Sequence, residues 1–181
     1  MQLYNHATGY GWVTRFNHWL SALLVIGLIA LGVYMTDLPD SPSKFELYDL
    51  HKALGIGVLA LILIRLLWLK ISPNPKLLPA QRWEHILAHS VRGFLYLSLL
   101  VMPLSGWVMS SAGGHEVSFF GLWTLPPLGP ENETLGTVAK TIHAAIGTIV
   151  FPALIGLHIV GALKHHFVYR DATLKRMLGK E

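Results

Sequence analysis

At 181 residues the chain has the length of one domain, but with 13% charged and 52% hydrophobic residues it is too apolar for a water-soluble one, where roughly a quarter would be charged. Its net charge of +4 comes from Lys and Arg set beside apolar runs, an arrangement that fits a membrane better than nucleic acid. The absence of cysteine excludes disulfides, iron–sulfur clusters, thiolate-bound metals and covalent haem attachment through C-x-x-C-H, and leaves ten histidines as the anomaly to explain.

A bilayer core of about 30 Å needs roughly 20 apolar residues per helix. Four stretches meet this, and predict spans over 13–34, 50–71, 86–110 and 141–163 within one membrane domain, 1–181. The fold class is therefore an all-α membrane protein, a bundle of four transmembrane helices. Trp12, Trp19, Tyr34, Tyr48, Trp68, Trp83 and Trp107 fall near span ends, as an aromatic belt does. No basic segment precedes the first span, which is too long for a signal peptide and lacks a small-residue cleavage site, so it is expected to stay in the protein.

An even number of spans puts both termini on one side. That side carries nine basic residues (Arg15, Lys70, Lys76, Arg82, Lys164, Arg170, Lys175, Arg176 and Lys180) and the other only Lys44, Lys52 and Lys140. The positive-inside rule then makes both termini cytoplasmic. The outer loops hold seven acids, Asp37, Asp40, Glu46, Asp49, Glu116, Glu131 and Glu133. The Pro-rich connection 72–83 reads as a short cytoplasmic loop, and 113–139 is long enough to cover the outer end of the bundle. The tail 164–181 reads as a basic interfacial extension with Phe167, Leu174 and Leu178 on the leaflet.

An ionisable residue inside a span is a functional hypothesis by default. Threading the chain gives each histidine a depth. His18 lies one turn into the first span from the cytoplasm, while His51 and His143 open the second and fourth spans from the outside. His158 is 15 residues beyond His143, about 22 Å deeper at the helical rise. So His18 shares a cytoplasmic level with His158, and His51 shares an outer level with His143. Two histidines from different helices at one level can bind a haem iron from both faces. Small residues stand one turn after each (Ala22, Gly55, Gly147, Ala162), which would give a porphyrin room but also suits ordinary helix packing. His85 and His89 are rivals at the start of the third span, with hydrogen bonding or a quinone pocket the preferred role. His6 and His115 read as surface residues, and His165 and His166 as surface or quinone-site residues. Arg65 lies 14 residues after His51, on roughly the same helix face at the other level, where it suits a haem propionate or snorkels to headgroups.

The runs Arg15-Phe-Asn-His18-Trp, Leu50-His51-Lys-Ala-Leu-Gly, Ile64-Arg65-Leu-Leu-Trp68 and Ile142-His143 resemble the bacterial cytochrome b561 family, as does the tail Lys164-His-His-Phe-Val-Tyr-Arg-Asp-Ala-Thr-Leu-Lys-Arg-Met177. The likeness runs from about Tyr10 to the end of the chain. It implies a four-helix inner-membrane cytochrome with two b haems, each held by two of His18, His51, His143 and His158. It also implies electron exchange with ubiquinone, and in one branch oxidation of superoxide at the periplasmic face. The distance from His143 to His158 is one residue longer than the family pattern. An extra residue would turn His158 by about 100° in a regular helix, so a kink or π-bulge is expected around 151–154, where Pro152 frees a carbonyl.

A haem iron with two histidine ligands has no open position and serves electron transfer. The leading expectation is a quinone-linked oxidoreductase that carries electrons from a periplasmic donor, superoxide among the candidates, to ubiquinone. The acidic outer loops count against superoxide, with Lys52 and Lys140 the only cations near the outer level. Two other readings stay open: a haem b membrane anchor for a periplasmic dehydrogenase or hydrogenase, and a non-redox transporter or scaffold.

Overall fold

A computed structural model describes residues 2–180. Among them are four helices long and apolar enough to cross a membrane: Trp12–Thr36, Pro42–Ile71, Arg82–Ala112 and Glu133–Tyr169. We label the first three α1, α2 and α3. The fourth span is built from α4 (Glu133–Ala145), a π-helical turn (Ile146–Val150), α5 (Phe151–Lys164) and a second π-helical turn (His165–Tyr169), and a short α6 (Thr173–Leu178) follows. α1 packs along α2, α2 along α3, and α3 along both α4 and α5, while the first π turn touches α1 and closes the bundle.

The spans run longer than hydropathy predicts because polar caps lie outside the apolar stretches. α2 begins at Pro42 rather than residue 50: Ser41 accepts a hydrogen bond from the Lys44 amide, and Pro42 sits at the first helical position, where it has no partner to lose. α3 begins at Arg82 through a capping box between Gln81 and Glu84. α4 begins at Glu133 because the Asn132 side chain accepts from Leu135 N at 2.8 Å. α1 enters through Gly11, where any Cβ would stand 2.2 Å from the Leu3 carbonyl oxygen. There Asn5, buried at the foot of the bundle, accepts through Oδ1 from Gly11 N (2.9 Å) and Thr14 Oγ1 (2.7 Å) and donates its backbone N–H to Ser72 Oγ (2.9 Å). This ties the N-terminal segment to the end of α2.

The all-α expectation needs one correction. The connection between α3 and α4 contains an antiparallel hairpin, β1 (Val117–Phe119) and β2 (Trp123–Leu125). Its turn places Phe120 and Gly121 at positive φ, 52° and 73°, the geometry that suits a tight hairpin. Aromatic and β-branched residues on both sides of Gly121 favour the pairing. The hairpin packs on α2. It is held there by Lys52 Nζ donating to the Glu116 carbonyl (2.8 Å) and by Trp107 Nε1 donating to the Pro126 carbonyl (3.1 Å). The connection does lie over one end of the bundle.

The central core is small: Val25, Val58 and Phe151 are buried, with Leu28, Leu95, Leu99 and Met102 packed against them. Many large apolar side chains point outward, Leu23, Leu67 and Val160 among them, as the lipid-facing surface of a membrane bundle requires.

Candidate haem sites

The fold brings the four span histidines together as two facing pairs. His18 of α1 and His158 of α5 have ring centres 6.1 Å apart, tilted by 60°. His51 of α2 and His143 of α4 also stand 6.1 Å apart, at 73°. The first pair lies toward the end of the bundle that holds both termini, the second toward the hairpin end.

That spacing can be compared with what a shared metal needs. An imidazole nitrogen binds a metal at about 2 Å, so two on opposite sides of one ion hold their ring centres a little over about 6 Å apart. Both pairs meet this distance. Each pair supplies only two donors, and among the described residues no group of three or more His, Asp or Glu could hold an ion by itself. A metal at either level must therefore bring its remaining ligands with it, as the iron of a porphyrin does. The donor set fits haem and fits a bare ion poorly.

The hairpin-end pair is the more enclosed. A cavity there is lined by His51, Gly55, Pro103, Gly106, Trp107 and Val117. Gly55 has nothing within 4 Å of where a Cβ would stand, which leaves room beside the ring. At Gly147, the corresponding small residue after His143, a Cβ would instead stand 3.1 Å from Met102 Cε, so helix contact explains it. Sequence reasoning missed two further glycines. A Cβ on Gly106 would lie 3.0 Å from His143 Cε1, and one on Gly32 would lie 3.2 Å from His51 Cε1. Each imidazole rests against bare helix backbone. His143 Nδ1 also donates to the Met102 carbonyl (2.9 Å), with Ser105 Oγ at 3.2 Å. The signal for these residues was the Pro-Leu-Ser-Gly run at 103–106 in α3, legible only once His143 is known to face it.

At the terminal end the Arg65 guanidinium acts electrostatically on both His18 and His158, and it stacks over the Tyr96 ring at 5.3 Å. His158 is exposed on the bundle surface and His18 half-buried. The rivals are placed elsewhere. His89 is exposed, and its Nδ1 donates to the His85 carbonyl one turn back, 2.7 Å away. His115 is exposed at the hairpin end, and His6 contacts Thr8 in the N-terminal segment.

A π-helical turn does lie between His143 and His158, but not at 151–154. It lies at Ile146–Val150, with Phe151 N bonding back to the Ile146 carbonyl, and Phe151–Lys164 is regular α-helix. Pro152 follows directly in the same continuous helix; it has no N–H to return to the preceding turn, which frees a carbonyl there, and the distortion sits in the turn just before the proline.

A second π turn shapes the foot of the fourth span. It ends in Arg170 at φ 53° and folds the chain so that His165 Nδ1 meets Asp171 Oδ2 at 2.5 Å. Burial disfavours the Asp171 carboxylate, but hydrogen bonds from His165 and from the Thr173 backbone outweigh it and hold the carboxyl below its ordinary range. Nearby, Glu84 Oε1 accepts from Lys164 Nζ (2.6 Å) and Tyr169 OH (2.7 Å).

A membrane bundle carrying two facing imidazole pairs has the donor set of a b-type cytochrome. The chain belongs to the prokaryotic cytochrome b561 family, whose pattern it matches over residues 9–180. It is 36% identical to cytochrome b561 homolog 2 of Escherichia coli K12, over 99% of this chain and 96% of that protein. It is 29% identical to a probable superoxide oxidase, CybB, of Yersinia pestis, over 91% of this chain and 92% of that protein. Cytochrome b561 homolog 1 of E. coli K12 is likewise 29% identical, over 89% and 92%. The protein is thus a multi-pass membrane cytochrome of the b type, and haem b is its family's cofactor.

Proposed function

We propose that the protein carries electrons across the bacterial inner membrane, from a donor at the periplasmic face to ubiquinone, through two haems b. The observation that supports this most is the two histidine pairs, each 6.1 Å across and one toward each end of the bundle. His51 and His143 would hold the outer group, and His18 and His158 the inner one. When bound, each group would supply one-electron chemistry, and two imidazoles on one iron would leave no place for dioxygen.

The residues around these pairs have distinct tasks. Trp107 and Val117 cover the outer pair and keep water from it. Arg65 sets a positive charge beside the inner pair, suited to a carboxylate such as a propionate. His165 and Asp171 place a proton-carrying pair at the foot of the fourth span, two turns from His158 on the α-helical repeat, where a quinone taking up electrons also needs protons. The excess of Lys and Arg at this end supports a cytoplasmic placement for both termini.

Superoxide as the donor is a second reading, and the name of the Yersinia relative favours it. The outer surface of this chain favours it less. Lys44 is ion-paired with Asp40 at 3.0 Å and Lys52 with Asp49 at 2.7 Å, which weakens any funnel for an anion. The deciding experiment is an oxidised-minus-reduced spectrum of the purified protein with haem quantification. Two haems per chain are expected, with His51→Ala or His143→Ala each removing one and leaving the other. One haem or none in the unaltered protein overturns the proposal. Rapid haem reduction by superoxide under anaerobic conditions separates the two donor readings.

A further inference from the structure

We infer that Ser105, together with the Met102 carbonyl, is a positioning residue that fixes the proton and the angle of the His143 imidazole. This rests on the reading of His143 and His51 as axial ligands.

Three distances carry it. His143 Nδ1 lies 2.9 Å from the Met102 carbonyl oxygen, His143 Nδ1 lies 3.2 Å from Ser105 Oγ, and Ser105 Oγ lies 2.9 Å from the same carbonyl. A carbonyl only accepts, so Nδ1 carries the imidazole proton. The Ser105 hydroxyl donates to that carbonyl too, so toward His143 it acts as an acceptor. The triangle has one arrangement of protons that satisfies every group, and it leaves the Nε2 lone pair as the ring's only metal-binding atom. Flipping the ring would put a carbon against both acceptors and lose both bonds. Ser105 is 8% exposed, so water does not take its place. Gly106, one residue on, lets the ring sit this close to α3.

The other ligand at this level has no such support. His51 Nδ1 is buried with no hydrogen-bond partner, and its ring is held by packing against α1 at Gly32. The two ligands of one site are therefore unequal. Acceptors on the far N–H make His143 the more basic donor, which would favour the oxidised state of an iron held there and lower its potential. Neither His18 nor His158 makes a hydrogen bond among the described residues, so the effect is confined to one of the two sites.

The test uses the full chain with its haems bound. Ser105→Ala is expected to keep two haems, to raise the midpoint potential of one and to leave the other unchanged, with the low-spin ferric EPR signal of the same centre shifting as the ring gains freedom. Ser105→Thr, which retains the hydroxyl, is expected to restore both readouts. Unmoved potentials and EPR signals in Ser105→Ala overturn the inference, and so does an equal shift of both haems, which marks a general structural effect. Should Ser105→Ala not assemble, proton NMR of the reduced, 15N-histidine-labelled unaltered protein decides: the Nδ1 proton of His143 is expected at lower field than that of His51, as a hydrogen-bonded N–H is, and equal shifts overturn the inference. The ligand reading fails separately, if His143→Ala retains both haems.

Discussion

Deleting Ile149 and inserting one alanine after Ala153 should have opposite consequences, although both change the fourth span by one residue. The π turn at Ile146–Val150 holds one residue more than an α-helix of the same length needs. Ile149 is 68% exposed, so its removal empties no core position. Its deletion lets 146–151 close as ordinary α-helix, with His143 and His158 still facing their partners. The insertion falls in regular helix and turns His158 by about 100° with a shift of about 1.5 Å. With side chains reaching about 5–6 Å from the helix axis, that rotation carries the imidazole on the order of 8 Å from its place. Coordination tolerates displacements of only about 0.2 Å. Haem per chain, measured by pyridine haemochrome, is therefore expected to stay at two in the deletion and to fall to one in the insertion. Two haems in the insertion variant, or a haem lost on deleting Ile149, would refute the reasoning.

Other expectations concern single positions. Gly106→Ala sets a methyl 3.0 Å from a ring that two hydrogen bonds hold still; the outer haem should be lost or weakened while the inner stays, with an overpacking cost of about 1–3 kcal/mol in denaturant titration. Gly27→Ala, with open space around it, is the matched control and should change neither. Asn5→Ala leaves the buried Gly11 amide unpaired and should cost about 1–3 kcal/mol, read as a lower melting temperature with an unaltered haem spectrum. Asp171 titrates below its ordinary 3.8 in the folded chain. Its contribution to docking Thr173–Leu178 is thus complete above that pH and lost as the pH falls through the lowered value. Hydrogen exchange of this helix should stay slow at neutral pH and rise only in acid, whereas Asp171→Asn should speed it at neutral pH.

Much of this protein is legible along the chain because a bilayer imposes a one-dimensional order. Hydropathy marks the spans and the basic residues distinguish the two ends. Together they assign a depth to each histidine, which is enough to match His18 with His158 and His51 with His143. The helix starts at Pro42, Arg82 and Glu133 were signalled less clearly, since caps such as Ser41 and Asn132 lie in polar sequence that reads as loop. The hairpin at 117–125 escaped notice because two strands of three residues leave little periodicity. Depth says nothing, however, about rotation around a helix or about what a neighbouring helix presents at that depth. Only the packing of α3 against α4 brings Ser105, Gly106 and the Met102 carbonyl to His143, and only the folded fourth span shows that its π turn lies at Ile146–Val150. The sequence by itself determined which residues share a level in the membrane; the tertiary structure decided how each ring is turned and held there, because that depends on contacts between helices far apart in the chain.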